Sequence, residues 1–139
     1  MITIEKMKIS DYTEIMELWQ NTEEFFISKE FDNLEVILNY LKRNPKMSSI
    51  AKDEDTIIGA VLCGHDGRKG SFYHLAVSNK YRVQGIAKRM LKRSKEELRK
   101  NCIDACFLFV HCENKEAINF WKKDGWKHAE MIGYYYKEI

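Results

Sequence analysis

A short turn between an apolar strand and a basic helix is the part of this chain best suited to bind an anion. The strand covers residues 72–77, the turn covers 81–88 with the sequence YRVQGIAK, and the helix extends from about Gly85 to Lys100. The first backbone N–H groups of a helix have no acceptor within it, and the helix dipole favours negative charge at that end. Because Gly85 has no side chain, a bulky phosphate can approach the main chain there. The pattern therefore predicts a site for a phosphorylated ligand.

A second pattern, downstream, combines asparagine, alanine and aromatic residues. It consists of NKEAINFW at 114–121, followed by Gly125 and Trp126. The first pattern, at 82–87, fits the series Arg or Gln, two variable residues, Gly, one variable residue, Gly or Ala. Together the two motifs resemble those of the GNAT N-acetyltransferase superfamily in order and spacing. The resemblance implies an enzyme that moves an acetyl group from acetyl-coenzyme A directly to a primary amine.

The resemblance also implies which residues bind coenzyme A. In the family, the turn holds the pyrophosphate, and main-chain groups of the strand at 75–77 hold the pantetheine arm and the oxyanion, often at a bulge. Asn114 reaches the pantetheine and Phe120 packs against it, although Asn114 is equally suited to cap the helix that follows it. The cofactor-binding residues implied in this way are Leu75, Ala76, Val77, Arg82, Val83, Gln84, Gly85, Ile86, Ala87, Lys88, Asn114, Ala117, Phe120 and Trp121.

Three positions differ from common forms of the family's motifs. Val83 stands where glycine is common, and Ala87 is the small alternative to glycine, but neither removes an N–H group that binds phosphate. Trp121 stands where many members have tyrosine, and an indole has no titratable hydroxyl to protonate the leaving thiolate. Either another tyrosine or solvent must supply that proton. The missing hydroxyl leaves a second function open, a non-catalytic acyl-coenzyme A-binding or regulatory module.

Four residues are candidates for acid–base chemistry. His74 is the first choice for the base, because the ordinary pKa of histidine, near 6.5, suits proton removal at neutral pH and because it adjoins the proposed oxyanion strand. A hydrogen-bonded structural histidine is an equally good interpretation. Glu113 is suited to act through a water or to serve only as a charge at a helix N-terminus. Tyr73 and Tyr134 are the reserve acids, with packing as the alternative role for each.

Hydrophobic periodicity and turn residues divide the chain into alternating strands and helices. We predict an α/β fold of the mixed α+β kind, a single GNAT-like domain over 1–139 with a mostly antiparallel twisted sheet of about seven strands and about four helices. The order is β-α-α-β-β-β-α-β-α-β-β, and the crossover helix makes strands 72–77 and 105–111 parallel. The remaining predicted strands are 2–6, 48–52, 56–63, 126–131 and 134–137. The first predicted helix begins after its cap at Ser10-Asp11, and the second begins at a capping box at 32–35. The third and fourth predicted helices cover 85–101 and Lys115–Lys123.

Composition narrows the class of protein. The chain has 139 residues, 45% of them hydrophobic, and one proline, which is typical of a folded globule. No apolar run approaches the roughly 18 residues of a membrane span, and the start of the chain does not have the pattern of a signal peptide. For the same reason we expect no membrane partner. The four cysteines lack the spacing of a disulfide framework or a Cys-x-x-Cys pair, so we expect no metal site. Reduced thiols and a cytoplasmic location are then the expectation.

Charge and aromatic content indicate the chemical class of the partners but not their identity. Residues 80–100 contain nine basic and two acidic residues, which suits a phosphorylated cofactor, and the helix lacks the aromatic platform expected of a nucleic-acid partner. Acidic and aromatic residues at 23–31 suit an amine with an apolar body, or simply form a solvated loop with core anchors. We expect a small-molecule or peptide amine as acceptor and a monomer or homodimer.

Overall fold

The computed structural model describes residues 1–22 and 27–139. These residues form two compact units, Met1–Phe109 and Val110–Ile139. The first unit contains a sheet with helices and the second contains one helix with the segment that follows it. The single domain over 1–139 stays a prediction.

The first unit is built on a mixed five-stranded sheet in the order β1-β2-β3-β4-β5. Three of its pairings, from β1 to β4, are antiparallel, and β4 pairs with β5 in parallel. The parallel pairing confirms the expected crossover, since a long helix lies between those strands in the chain. The strands are β1 Ile2–Lys6, β2 Ser49–Asp53, β3 Thr56–His65, β4 Gly70–Val77 and β5 Cys106–Leu108.

Four α-helices are present in the described residues, as the apolar periodicity predicted. They are α1 Tyr12–Gln20, α2 Leu34–Arg43, α3 Ile86–Lys100 and α4 Lys115–Lys123. The cap of α2 differs from the prediction: Asn33 accepts the N–H of Val36 at 3.0 Å, and Asp32 is not the N-cap. The carboxylate of Asp32 is therefore available for another contact.

Helices cover both faces of the sheet. Trp19 and Ile15 of α1 are buried in one cluster with Ile37 of α2 and Ile50 of β2. On the opposite face, the neighbouring Ser49 Oγ lies 2.7 Å from Ser94 Oγ of α3. Since successive strand residues point to opposite faces, α1 and α2 lie on one side of the sheet and α3 lies on the other.

The expectation of about seven strands is wrong for the described residues, which contain five. The predicted strand at 105–111 is shorter, Cys106–Leu108, and the predicted strands at 126–131 and 134–137 do not form. That last segment contains a turn, in which Ile132 N–H donates to the carbonyl of Ala129 at 3.2 Å, and its three tyrosines are exposed. Alternating sequence forms a stable strand only where other strands or a helix cover it.

Candidate active site

The middle of β4 carries a bulge. Ala76 lies opposite Ala60 and Tyr73 lies opposite Leu62, so His74 and Leu75 together face the single residue Val61. His74 has a φ of +55°, which is uncommon for residues other than glycine. Histidine is one of the few other residues that adopt positive φ more often than average. Because a bulge turns side chains away from simple alternation, the ring of His74 contacts Trp19 of α1 while the adjacent ring of Tyr73 contacts Tyr40 of α2.

Both the ring and the main chain of His74 are held in place. The Nε2 atom lies 2.9 Å from Oδ1 of Asp32, and the two side chains are 22% and 9% exposed. The indole N–H of Trp19 donates to the His74 carbonyl at 2.9 Å, and the two ring centroids lie 4.9 Å apart. The histidine at the bulge is thus fixed by a carboxylate at one end and an indole at the other.

Asp32 is a buried residue with its own set of partners. Its Oδ2 accepts the N–H of Ser28 at 2.9 Å, and its carbonyl accepts the hydroxyl of Tyr12 at 2.8 Å. Burial acts to raise the pKa of this carboxyl, but the hydrogen bonds from His74 and Ser28 hold the pKa below its ordinary value. The side chain that faces His74 is therefore a carboxylate at neutral pH.

The sequence patterns did not assign Asp32 or Trp19 to the site. Asp32 was expected to be part of a capping box, and Trp19 is fully buried in the core. Two signals were available. Asp32 and Asn33 are adjacent cap residues and only one can cap the helix, and a buried indole N–H needs an acceptor.

The edge of β4 that faces β5 is only partly paired. In the described residues the ladder has three pairs and ends where Phe72 meets Leu108, while β4 continues to Val77. The pairing of β4 with β5 therefore stops before the bulge. The main chain of Leu75, Ala76 and Val77, which was expected to hold pantetheine and the oxyanion, belongs to this part of β4.

The turn between β4 and α3 has the geometry of an anion cradle. Gly85 is the N-cap of α3 with a φ of +76°, and a Cβ at this position would meet no atom of the described residues within 4 Å. The space above the main chain is thus open, and the first turn of α3, which holds Ile86, Ala87 and Lys88, contains no acidic residue. These features fit the pyrophosphate of coenzyme A.

The residues that precede Gly85 are anchored by hydrogen bonds within the first unit. The hydroxyl of Tyr81 donates to Oδ2 of Asp53 at 2.7 Å, and Arg82 Nε donates to the Val77 carbonyl at 3.3 Å. Val83 has a φ of +61° and is fully exposed, so valine here adopts a backbone conformation that favours the glycine common in the family. Gln84 contacts the carbonyl of Lys80 at 3.5 Å.

The second unit contains the other motif. Asn114 caps α4, since its Oδ1 accepts the N–H of Ala117 at 2.9 Å. The ring of Trp121 makes edge-to-face contacts with Phe120 and with Trp126, with centroids 5.0 and 5.1 Å apart. Trp121 is therefore part of an aromatic cluster within this unit.

The two units divide the predicted site residues between them. His74, Tyr73, the strand at 75–77 and the turn at 82–88 lie in the first unit. Glu113, the second motif and Tyr134 lie in the second, where Glu113 N–H donates to His111 Nδ1 at 3.3 Å and Tyr134 stacks on Tyr136. The β4 residues and the turn at 82–88 are thus in one unit, and the residues of the second motif are in the other.

Two other kinds of feature are absent from the described residues. Across 1–22 and 27–139, no group of three or more His, Cys, Asp and Glu side chains is arranged to hold a metal ion. No helix in the same ranges has the length and apolar character to cross a bilayer.

Known proteins are similar to this chain over most of its length. The model of the "Acetyltransferase (GNAT) family" matches residues 12–126. An acetyltransferase from Yersinia pestis (strain Pestoides F) is 27% identical over 123 residues, which are 88% of this chain and 85% of that protein.

Two solved structures share the fold. The PaiA N-acetyltransferase from Thermoplasma acidophilum, in complex with coenzyme A, is 23% identical with a TM-score of 0.79, over 91% of this chain and 90% of that one. An aminoglycoside acetyltransferase from an uncultured soil metagenomic sample, in complex with sisomicin, is 17% identical with a TM-score of 0.76, over 99% and 96%. Because the family model spans both motifs and most of the chain, the chain belongs to the GNAT family of acetyltransferases and transfers an acetyl group from acetyl-coenzyme A to an amine.

Proposed function

We propose that His74 is the general base of this N-acetyltransferase and that the β4 bulge beside it is the reaction centre. The observation that supports the proposal is the position of His74 within the bulge, with its ring held by the ionised Asp32 at 2.9 Å. A base must lie next to the group whose proton it removes, and a positioned histidine contributes roughly 10²- to 10⁴-fold to rate. The neighbouring main chain at 75–77 supplies oxyanion donors.

The chain's own residues divide the remaining work. The N–H groups at the start of α3, with Gly85 at their head, bind the pyrophosphate, and Arg82 and Lys88 add positive charge. Acetyl-coenzyme A supplies the activated acyl group when bound. The main chain of Leu75, Ala76 and Val77 orients the pantetheine arm along the unpaired edge of β4, which places the acyl carbon beside His74.

The second motif contributes to the same cofactor in this proposal. Asn114 reaches the pantetheine with its side chain while Ala117 lets the arm approach α4. Phe120 and Trp121 form an apolar wall of the channel, a role that suits an indole packed among aromatic rings. Glu113 remains the alternative base, through a water, and Tyr73 and Tyr134 remain alternative acids for the leaving thiolate.

The acceptor is an amine, and we propose a small-molecule or peptide amine. The acidic and aromatic residues that suggested an amine with an apolar body include Glu23, Glu24, Phe25 and Phe26, which lie outside the described residues, and Phe31, which is exposed. We also propose that the protein is a cytoplasmic monomer or homodimer, and that neither nucleic acid nor a membrane is among its partners.

Release of free thiol from acetyl-coenzyme A tests the proposal directly. With a panel of small amines, amino acids, aminoglycosides and peptides, the wild type should release thiol with at least one amine. His74→Ala should lower kcat by roughly a hundredfold or more and leave the affinity for coenzyme A unchanged.

A matched control is available in His65 at the end of β3 in the same unit, where its Nδ1 accepts the N–H of Gly67. His65→Ala should keep wild-type kcat. A fully active His74→Ala variant would remove His74 from the mechanism and favour Glu113 as the base.

A further inference from the structure

We propose that Asp32 is a positioning residue for the transfer: its carboxylate fixes the tautomer of His74 that carries the proton on Nε2, so that Nδ1 is the atom that takes the proton from the acceptor amine. This inference rests on the proposed role of His74 as base. It assigns a function to a residue that neither motif contains and that lies 42 positions from His74 in the chain.

The tautomer follows from the chemistry of the two partners. A neutral imidazole has one N–H and one nitrogen lone pair, whereas an ionised carboxylate can only accept. The ring nitrogen that faces Asp32 Oδ1 at 2.9 Å is Nε2. That nitrogen must therefore be the donor, and the lone pair that acts as base belongs to Nδ1.

The orientation of the carboxylate is set independently of His74. Ser28 N–H binds Oδ2, and the Tyr12 hydroxyl binds the Asp32 carbonyl. Trp19 holds the main chain of His74 from the same helix that carries Tyr12. Carboxylate and imidazole thus meet as two groups that are each already fixed, which is the condition for a defined tautomer.

In this transfer one proton moves from the acceptor amine to His74 and then leaves it. The amine N–H bond breaks as the Nδ1–H bond of His74 forms, while the nitrogen electron pair makes the amide bond to the acyl carbon. The carbon–sulfur bond breaks, and the proton on His74 passes to the departing thiolate or to water. Asp32 keeps its charge throughout and stabilises the imidazolium that exists between those two events.

Asp32→Asn is the sharpest test, because the structure dictates which way the amide must turn. Ser28 N–H is a donor, so the amide oxygen takes the position of Oδ2 and the amide NH₂ group faces His74 Nε2. The nitrogen Nε2 must then accept, and the proton moves to Nδ1, where it blocks the base. We expect kcat to fall by roughly a hundredfold or more while KM for acetyl-coenzyme A changes by less than about twofold.

Nitrogen NMR of histidine-labelled protein reads the tautomer itself, with the His74 signals assigned from a His74→Gln variant. At alkaline pH the wild type should show the proton on Nε2, and Asp32→Asn should show it on Nδ1. Asp66→Asn is the matched control, because Asp66 also accepts main-chain N–H bonds, from Arg68 and Lys69, in an exposed turn. It should change neither the tautomer nor kcat.

The outcomes separate the inference from the function on which it rests. If His74→Ala is inactive while Asp32→Asn keeps wild-type kcat, the positioning role is overturned and the base remains. If His74→Ala is active, the base itself is wrong. Should Asp32→Asn fail to fold, the wild-type spectrum still decides, because a proton on Nδ1 in the wild type overturns the inference.

Discussion

His74 and Trp121 illustrate two different ways in which single residues contribute to this site. His74 lies in the left-handed region at a bulge, and its role depends on partners from α1 and from the segment before α2. Trp121 has its partners close by in the chain, Phe120 and Trp126. The first residue is therefore sensitive to distant substitutions, whereas the second is sensitive mainly to changes in its own cluster.

Replacement of Trp121 tests whether it packs or reacts. Trp121→Phe keeps an aromatic surface against Phe120 and Trp126, and it should retain most of the activity. Trp121→Ala removes the ring contacts and should weaken both coenzyme A binding and turnover by roughly tenfold or more, since about 1.4 kcal/mol of lost contact energy is a factor of ten. Isothermal titration with coenzyme A and thiol release with the best amine measure the two effects.

An inactive Trp121→Phe variant that still binds coenzyme A would contradict the packing role. In that case the indole N–H would take part in the chemistry or in acceptor binding.

The bulged strand β4 and the start of α3 are the two elements on which the site depends. Local sequence was enough to predict the existence of both, because a mostly apolar run marks β4 and Gly85 marks a helix start after it. It was not enough to predict the bulge, since a bulge is a mismatch between two strands and β4 alone contains no sign of Val61 opposite it.

Substitution of Gly85 tests the cradle at the start of α3. Gly85→Glu places a strained side chain and a negative charge where the phosphates are proposed to bind. Coenzyme A affinity should fall about a hundredfold, since like charges about 4 Å apart near a surface repel by several kcal/mol. Titration calorimetry measures the affinity, and circular dichroism checks that the helix persists.

Gly67→Glu is the control, because it carries the same strain and charge away from the turn. Gly67 has a φ of +90°, and a Cβ there likewise meets no described atom within 4 Å. Equal loss of affinity in both variants would show that strain or net charge, and not the cradle, causes the effect.

For the molecule as a whole, the sequence predicted what is local and missed what is distant. The bounds of α4 and the order of elements through Lys123 were correct, because caps and apolar periodicity are encoded within each element. The contact of Asp32 with His74 joins two segments far apart in the chain, and no spacing rule reveals it. The predicted C-terminal strands failed for a related reason, because a strand is stable only with a neighbour.

Asp32 should also make the stability of the protein depend on pH. Because its pKa is lower in the folded state, its contribution is present above the ordinary value of 3.8 and is lost as pH falls through the depressed folded value. Asp32→Ala should therefore cost about 2 kcal/mol of unfolding free energy at pH 7, and the gap to wild type should shrink below pH 4. Urea unfolding followed by tryptophan fluorescence measures the gap.

Asp55→Ala, at an exposed position in the β2–β3 turn, serves as the reference variant and should remain close to wild type throughout. A gap for Asp32→Ala that stays constant from pH 7 to pH 3 would show that the carboxylate is not stabilised in the folded state.

The left-handed backbone of Val83 affects the order in which parts of the protein lose their structure under denaturation. A residue other than glycine in the left-handed region costs about 1–2 kcal/mol, so the turn keeps its shape only while its surroundings hold it there. Under mild denaturation such a segment relaxes by local opening before the sheet to which it is attached unfolds. We therefore expect coenzyme A binding to be lost while the sheet is still folded. Loss of activity on mild denaturation should then precede global unfolding and should not be used to measure it.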